Sequence, residues 1–276
     1  MFLQDYAQPA AVARRWVNLP GNIRNTGVEF GLNLQAVTSE KFGWEVLYNM
    51  TFLKNEVENF GNRNVNTGNI NGQGLSGAFA QIITNGFPLA SFNVPIFGGY
   101  DAQGLGIYPN GDAGSILASA IPTFTAGLTN NFNFGRFNAN FFINAATGFS
   151  IYNNTNNAFF IKGNLVTGRN VSTDVAESNE NPLNSGEVSS RFLEKGDFVR
   201  LSNASLGYTF DLKQIYAFKS VRVSLSGQNL ILLTNYSGLD PEINTNKERN
   251  GVPSRGIDYT AYPSARTFTL GLNIGL

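Results

Sequence analysis

The chain has 276 residues, and its 19 basic and 19 acidic side chains cancel to a formal charge of zero, so no net field recruits nucleic acid. Charged residues make up 14% and aromatic residues 13%, whereas an ordinary soluble domain carries roughly 25% charged residues. Cysteine and histidine are both absent, which removes thiol nucleophiles, disulfides, histidine-based triads and zinc sites built from those ligands.

With 30 glycines and abundant asparagine, residues that favour turns over helices, the composition reads as all-β with large loops. The opening stretch Met1–Pro9 has no basic segment followed by an apolar core, the pattern of a secretory signal. No apolar run approaches the roughly 18 to 20 residues of a spanning helix. Any passage through a membrane has to be made by strands.

In chain order, the first strand is carried by Val28, Phe30, Leu32, Leu34 and Ala36, which alternate with Glu29, Gly31, Asn33 and Gln35. That is the period of a half-buried strand. After a short connection, Trp44, Val46, Tyr48, Met50 and Phe52 repeat it, with Leu47 the one exception on the polar side. Phe124, Ala126, Leu128, Phe132 and Phe134 follow, then the Gly135-Arg136 turn, then Phe137, Ala139, Phe141, Ile143 and Ala145. The second face of that hairpin is almost pure amide, with Asn131, Asn133, Asn138, Asn140 and Asn144. Ala204, Leu206, Tyr208 and Phe210 descend, and Val221, Val223 and Leu225 return. The last strand alternates Phe268, Leu270, Leu272, Ile274 and Leu276 with small or polar residues such as Asn273.

The connections between these seven strands alternate between short (near 39–42, 135–136 and 212–219) and long (about 55–122, 150–197 and 232–266). Short periplasmic turns and long extracellular loops are the layout of an outer-membrane barrel. Phe42, Trp44, Phe132, Phe134, Phe137, Tyr208 and Phe210 all fall at the short-turn ends, as an interfacial girdle requires. The predicted lipid-facing residues are Phe30, Leu32, Leu34, Phe141, Ile143, Leu206, Phe268, Leu270, Leu272 and Ile274, and the amide-rich faces line a wet lumen. Alternation breaks in one place: Arg200 falls on the parity of Leu206, and Asn229 on that of Leu225. If Phe210 faces Val221, Ser202 and Asn229 are level, so a β-bulge or the upper membrane boundary is expected there.

Every backbone polar group in hydrocarbon must be paired within protein, so a sheet spans a bilayer only when closed. Seven strands leave two open edges. The expected state is a piece of a larger barrel; the alternatives are an oligomeric pore, or a secreted β-sandwich or adhesin-like binding module with the phenylalanines turned inward.

Several stretches carry a family resemblance: Asn22-Ile-Arg-Asn-Thr-Gly-Val-Glu-Phe30, Phe97-Gly-Gly-Tyr-Asp101, Ile121-Pro-Thr-Phe-Thr-Ala-Gly-Leu-Thr-Asn130 and Arg191-Phe-Leu-Glu-Lys-Gly-Asp-Phe-Val-Arg-Leu-Ser-Asn203. Ser226-Gly-Gln-Asn-Leu230, Tyr236-Ser-Gly-Leu-Asp-Pro-Glu242, Gly256-Ile-Asp-Tyr259 and Tyr262-Pro-Ser-Ala-Arg-Thr-Phe268 complete the set. In this order they closely resemble the C-terminal barrel region of SusC/RagA-family, TonB-linked outer-membrane transporters of Bacteroidota, over nearly the whole chain. The resemblance implies that residues 1–276 are about seven C-terminal strands of a 22-strand transmembrane β-barrel in the bacterial outer membrane. The plug domain, TonB box and signal peptide are expected to lie outside this stretch. It further implies uptake of oligosaccharide or peptide fragments, a SusD-like surface lipoprotein as lid, outer-membrane lipids as surroundings, and the TonB system acting through the missing N-terminal part. The final Leu276 departs from the aromatic residue with which the family usually ends.

Other motifs point to chemistry only weakly. Gly72-Gln-Gly-Leu-Ser-Gly77 matches a phosphate-cradling loop, but Asn62–Asn71 before it reads as loop and not as a buried strand, so a surface loop is expected. Asp240, Glu242 and Asn244 gather oxygen ligands that could hold calcium, without the spacing of a calcium loop. The alternative is a solvated or partner-contacting loop. Tyr152, Phe159, Phe160, Asp240, Glu242, Asp258 and Tyr259 are the candidates for contact with substrate or a lid protein. No pair of carboxylates is set for acid–base work, so no catalytic residue and no cofactor is expected.

Overall fold

The computed structural model describes residues 2–275 except 8, 10, 19, 73, 185 and 213–218. Leu276 and most of the 212–219 connection therefore lie outside the described residues. Seven long strands dominate: β1 (Asn22–Thr38), β2 (Phe42–Glu58), β3 (Phe124–Phe134), β4 (Phe137–Thr147), β5 (Phe198–Asp211), β6 (Ser220–Thr234) and β7 (Thr267–Gly275). They form one antiparallel sheet in which each strand pairs with the next in chain order. At about 3.3 Å per residue, the 17 residues of β1 and of β2 reach about 55 Å, roughly twice the apolar band of an outer-membrane barrel.

The register aligns the apolar faces of all seven strands into one surface. Leu32 faces Tyr48 and Tyr48 faces Leu128; Leu128 faces Ile143 and Ile143 faces Leu201; Leu206 faces Leu225 and Leu225 faces Leu270. Among the described residues no second layer covers this surface: Leu270 is 76% and Leu206 53% exposed. A sandwich would bury these side chains between two sheets, so the inward-facing alternative fails. Asn130, between Leu128 and Phe132, shares the apolar parity: it is buried, and its Oδ1 accepts a 3.0 Å bond from Trp44 Nε1, which satisfies it.

At the short-turn end the rings pack against one another, some stacked and some edge to face. Trp44 stacks on Phe132 at 5.8 Å, Phe42 touches both Phe132 and Phe134, and Tyr208 contacts Phe137 and Phe210. The opposite face is polar and hydrogen-bonded across strands. Glu45 accepts from Gln35 (3.0 Å) and Asn131 (2.8 Å), and Asn131 in turn accepts from Asn140 (2.6 Å). Gly207 keeps this wall thin: a Cβ there would meet Asn138 Oδ1 at 2.3 Å and Arg222 Nε at 3.0 Å. Its absence lets Arg222 lie across the strand and donate to Asn138.

The expected break is a bulge. Ser202 is skipped in the pairing of β5 with both neighbours, and Asn229 and Leu230 are skipped on β6. Asn229 takes φ 53°, a left-handed conformation that asparagine tolerates. The bulge restores the faces: Leu201 and Val199 rejoin the apolar surface opposite Ile231 and Leu233, while Arg200 turns inward and is only 5% exposed. A smaller bulge skips Ala36 in β1. The sheet is open, because β1 and β7 each pair on one side.

The long connections are not loose loops. Val65–Asn69, Phe79–Ile83, Ser91–Val94 and Ser115–Ser119 form a four-stranded sheet, and Leu193–Lys195, Ser150–Asn153 and Ile257–Asp258 a three-stranded one. Phe92 and Ile70 from the first connection, Tyr152 and Phe192 from the second and Ile257 from the third share a single apolar core. This corrects the reading of 62–71 as loop: Val65–Asn69 is a strand with Thr67 buried. The glycine motif after it is a turn between two strands, with Leu75 buried and Phe79–Ile83 following. No helix N-terminus stands among the described residues there to receive a phosphate, and Gly72, Gly74, Ser76 and Gly77 are exposed as expected of a surface loop, with Leu75 alone tucked into the core.

Candidate functional site

The three connections build a cap over the long-loop end of the polar wall, and a cavity of about 680 Å³ lies between cap and wall. The wall contributes Asn49, Gly127, Phe142 and Asn144; the cap contributes Ile121 and Pro122, the stretch Pro241–Asn244 and the stretch Pro253–Gly256. Amides and apolar patches alternate around it, with Glu242 and Arg255 as its charged members.

Arg200, delivered to the inside by the bulge, anchors the third connection to the wall. Its guanidinium bonds Asn229 Oδ1 and Asp240 Oδ1 and lies 2.8 Å from Glu242 Oε2. Asp240 is 3% exposed and also accepts the Glu242 backbone N–H at 2.9 Å. Asn229 donates to the Ser264 carbonyl, and Arg266 bonds the Asn229 carbonyl. Both ends of the third connection thus meet at the bulge. Asp240 and Glu242 are turned onto a guanidinium, not set around an empty oxygen cage, and Asn244 is exposed. Among the described residues, no group of three or more carboxylates converges as a metal site. Burial holds the Glu242 carboxyl above its ordinary value, with Arg200 pulling it down and Asp240 pushing it up.

A second arginine rivets the first and second connections together. Arg191 pairs bidentately with Glu180 at 2.9 and 2.7 Å, and its guanidinium lies over the rings of Phe97, Tyr100 and Phe192. Burial opposes its charge, but the Glu180 bonds outweigh that and raise its pKa. Burial also pushes Tyr100 and Tyr108 up to about 12, the latter aided by Glu187.

The candidate contact residues separate into two groups. Tyr152 is fully buried, its hydroxyl accepting from Asn157 Nδ2 at 2.9 Å and from the Ser189 backbone N–H at 3.3 Å. It packs the cap's core and presents nothing to a partner. Asp258 is also buried, accepting from Tyr236 at 2.7 Å and Thr155 at 3.1 Å; burial and then the Asp258 charge raise Tyr236 well above the phenol range. Phe159 and Tyr259, by contrast, stack at 6.0 Å on the cap's surface, with Lys247 Nζ 4.0 Å over the Tyr259 ring. Phe160 is half-buried beside them, and Glu242 keeps 46% of its side chain exposed. Arg200, Arg191, Glu180 and Arg255 were not among the sequence candidates. Only Arg200 left a signal, its anomalous parity.

No family model matches the chain. It is 28% identical over 299 residues to TonB-dependent receptor P3 of Formosa agariphila, covering 92% of this chain and 29% of that protein. It is equally 28% identical over 278 residues to TonB-dependent receptor SusC of Bacteroides thetaiotaomicron, covering 92% and 26%. The chain thus spans under a third of the length of the curated relatives it matches. Among solved structures, the RagAB peptide importer in its closed-closed state superposes with a TM-score of 0.76 over 99% of this chain and 32% of that one, at 19% identity. A second structure of the RagAB peptide transporter gives 0.72 over 92% and 30%. The resemblance to SusC/RagA-type TonB-linked transporters therefore holds in sequence, and the barrel-wall fold holds in structure. The relatives named here are receptors and transporters.

Proposed function

We propose that the 276 residues are the C-terminal wall-and-loop portion of a TonB-linked barrel in the bacterial outer membrane that imports oligosaccharide or peptide fragments. The observation that carries this is the pairing of one continuous apolar face, uncovered across seven strands, with a hydrogen-bonded amide face whose long connections all gather at one end. In water so large an apolar surface is an aggregation hazard; in lipid it is the expected outer wall. The open edges at β1 and β7 call for further strands, which the threefold longer relatives have the length to supply. The cavity at the lumen mouth receives the solute, and the Phe159–Tyr259 pair is the first contact for a SusD-like lipoprotein lid. The side chains around the cavity bind and sort the solute.

The test is fractionation and surface labelling of cells producing the protein. Recovery in the outer membrane, release only by detergent, and labelling of a cysteine placed at Phe159 but not at Gly135 by an impermeant reagent are expected. Recovery in a buffer-soluble fraction would overturn the proposal.

A further inference from the structure

We infer that the cavity at the lumen mouth selects zwitterionic solutes, taking an ammonium on Glu242 and a carboxylate on Arg255. This deepens the uptake reading above and rests on it. Both residues line the same cavity; Arg255 has no counter-ion among the described residues, and Glu242 shares its one guanidinium partner, Arg200, with Asp240. In the Arg200 cluster one guanidinium faces two carboxylates, leaving an excess negative charge. Asp240 is buried within the cluster, whereas Glu242 has one oxygen on Arg200 and the other, Oε1, without a protein donor among the described residues. Arg255 forms no ion pair among the described residues, although its backbone is held on both sides by the buried Gln81: Gln81 Nε2 donates to its carbonyl at 2.6 Å, and its N–H donates to Gln81 Oε1 at 3.5 Å.

Both charges therefore stand on anchored backbone, one tied to the wall through Arg200 and the other to the four-stranded cap sheet through Gln81. Anchoring lowers the ordering cost of binding, and a fixed pair of opposite charges rewards a ligand carrying both. A neutral solute satisfies neither charge. A purely cationic or anionic one satisfies one and brings its like charge against the other.

The experiment is calorimetric titration of the detergent-purified protein with tetra-alanine having both termini free, with its N-acetylated, C-amidated and doubly blocked forms, and with a neutral tetrasaccharide. The unblocked peptide should bind tightest, each block weakening it about two- to fivefold, the range of a partly exposed charge contact. Glu242→Gln should abolish the penalty for N-acetylation alone, and Arg255→Gln the penalty for C-amidation alone, with Glu242→Asp retaining the first. Equal binding of all four peptides, or a uniform loss in both variants, would overturn the assignment. Binding of the tetrasaccharide but no peptide would overturn it while leaving the uptake reading intact. Binding of no probe at all would count against both.

Discussion

Replacing Arg200 with methionine tests how the cap is held to the wall. The substitution keeps an unbranched side chain of similar reach but leaves Asp240, 3% exposed, as a buried carboxylate stripped of its counter-ion, and deprives Asn229 of its donor. Removing one partner of a buried ion pair costs about 3 to 5 kcal/mol. Glu242 is half in solvent, and its share stays at or below about 1 kcal/mol. A cost near 3 kcal/mol is expected, and it falls on the attachment of residues 235–266, because the wall strands keep their ladders. Hydrogen exchange reads it directly: amides of that segment should exchange about a hundredfold faster through local opening, while those of β2 to β4 stay protected. Asp240→Asn in the Arg200→Met background removes the stranded charge and should recover much of the protection. Unchanged exchange in Arg200→Met, or additive losses in the double variant, would refute the clamp.

Two further outcomes follow from the same geometry. Leu270→Arg, on the uncovered apolar face, should cost about 2 to 4 kcal/mol in a denaturant titration in lipid vesicles, whereas Asn273→Asp on the polar face should be mild; equal costs would contradict the facing assignment. For pH, the Glu242 carboxyl is held above its ordinary value of 4.5, chiefly by burial. The folded cap therefore binds this proton more readily than the unfolded segment does, and the contribution is fully present below 4.5 and lost as pH rises through the elevated folded value. Exchange protection at residues 240–244 should accordingly strengthen on acidification across that window and become flat there in Glu242→Gln; weakening over the same window would reverse the assigned sign.

What the linear sequence determines here is whatever repeats with period two or closes within a few residues. Alternation of Phe268, Leu270, Leu272 and Ile274 with small polar residues assigns each side chain to the apolar or the polar face. Short connections such as Gly135-Arg136 set the pairing of neighbours, because a one-residue slip would turn every apolar side chain to the wrong face. The break was legible as a bulge or a membrane boundary, since Arg200 and Asn229 both fell on the apolar parity with Ser202 and Asn229 level, and the register shows it to be a bulge. Asn130 shows the limit of that logic: it lies on the apolar parity, and only the Trp44 side chain across the strand pair explains how it is tolerated there.

Only the tertiary structure decided the rest. The cap is held by contacts with no periodic trace, such as Gln81 with Arg255 at a separation of 174 residues and Arg200 with Asp240 at 40. Composition marked 62–71 as loop, yet Val65–Asn69 is a strand because Phe79–Ile83 is there to pair with it. Tyr152 has the residue type of a surface contact and is instead the centre of a core assembled from three connections. A strand's facing is dictated by its own residues, but burial in a cap depends on which distant segments fold over it, and that is settled by packing and charge pairing in three dimensions.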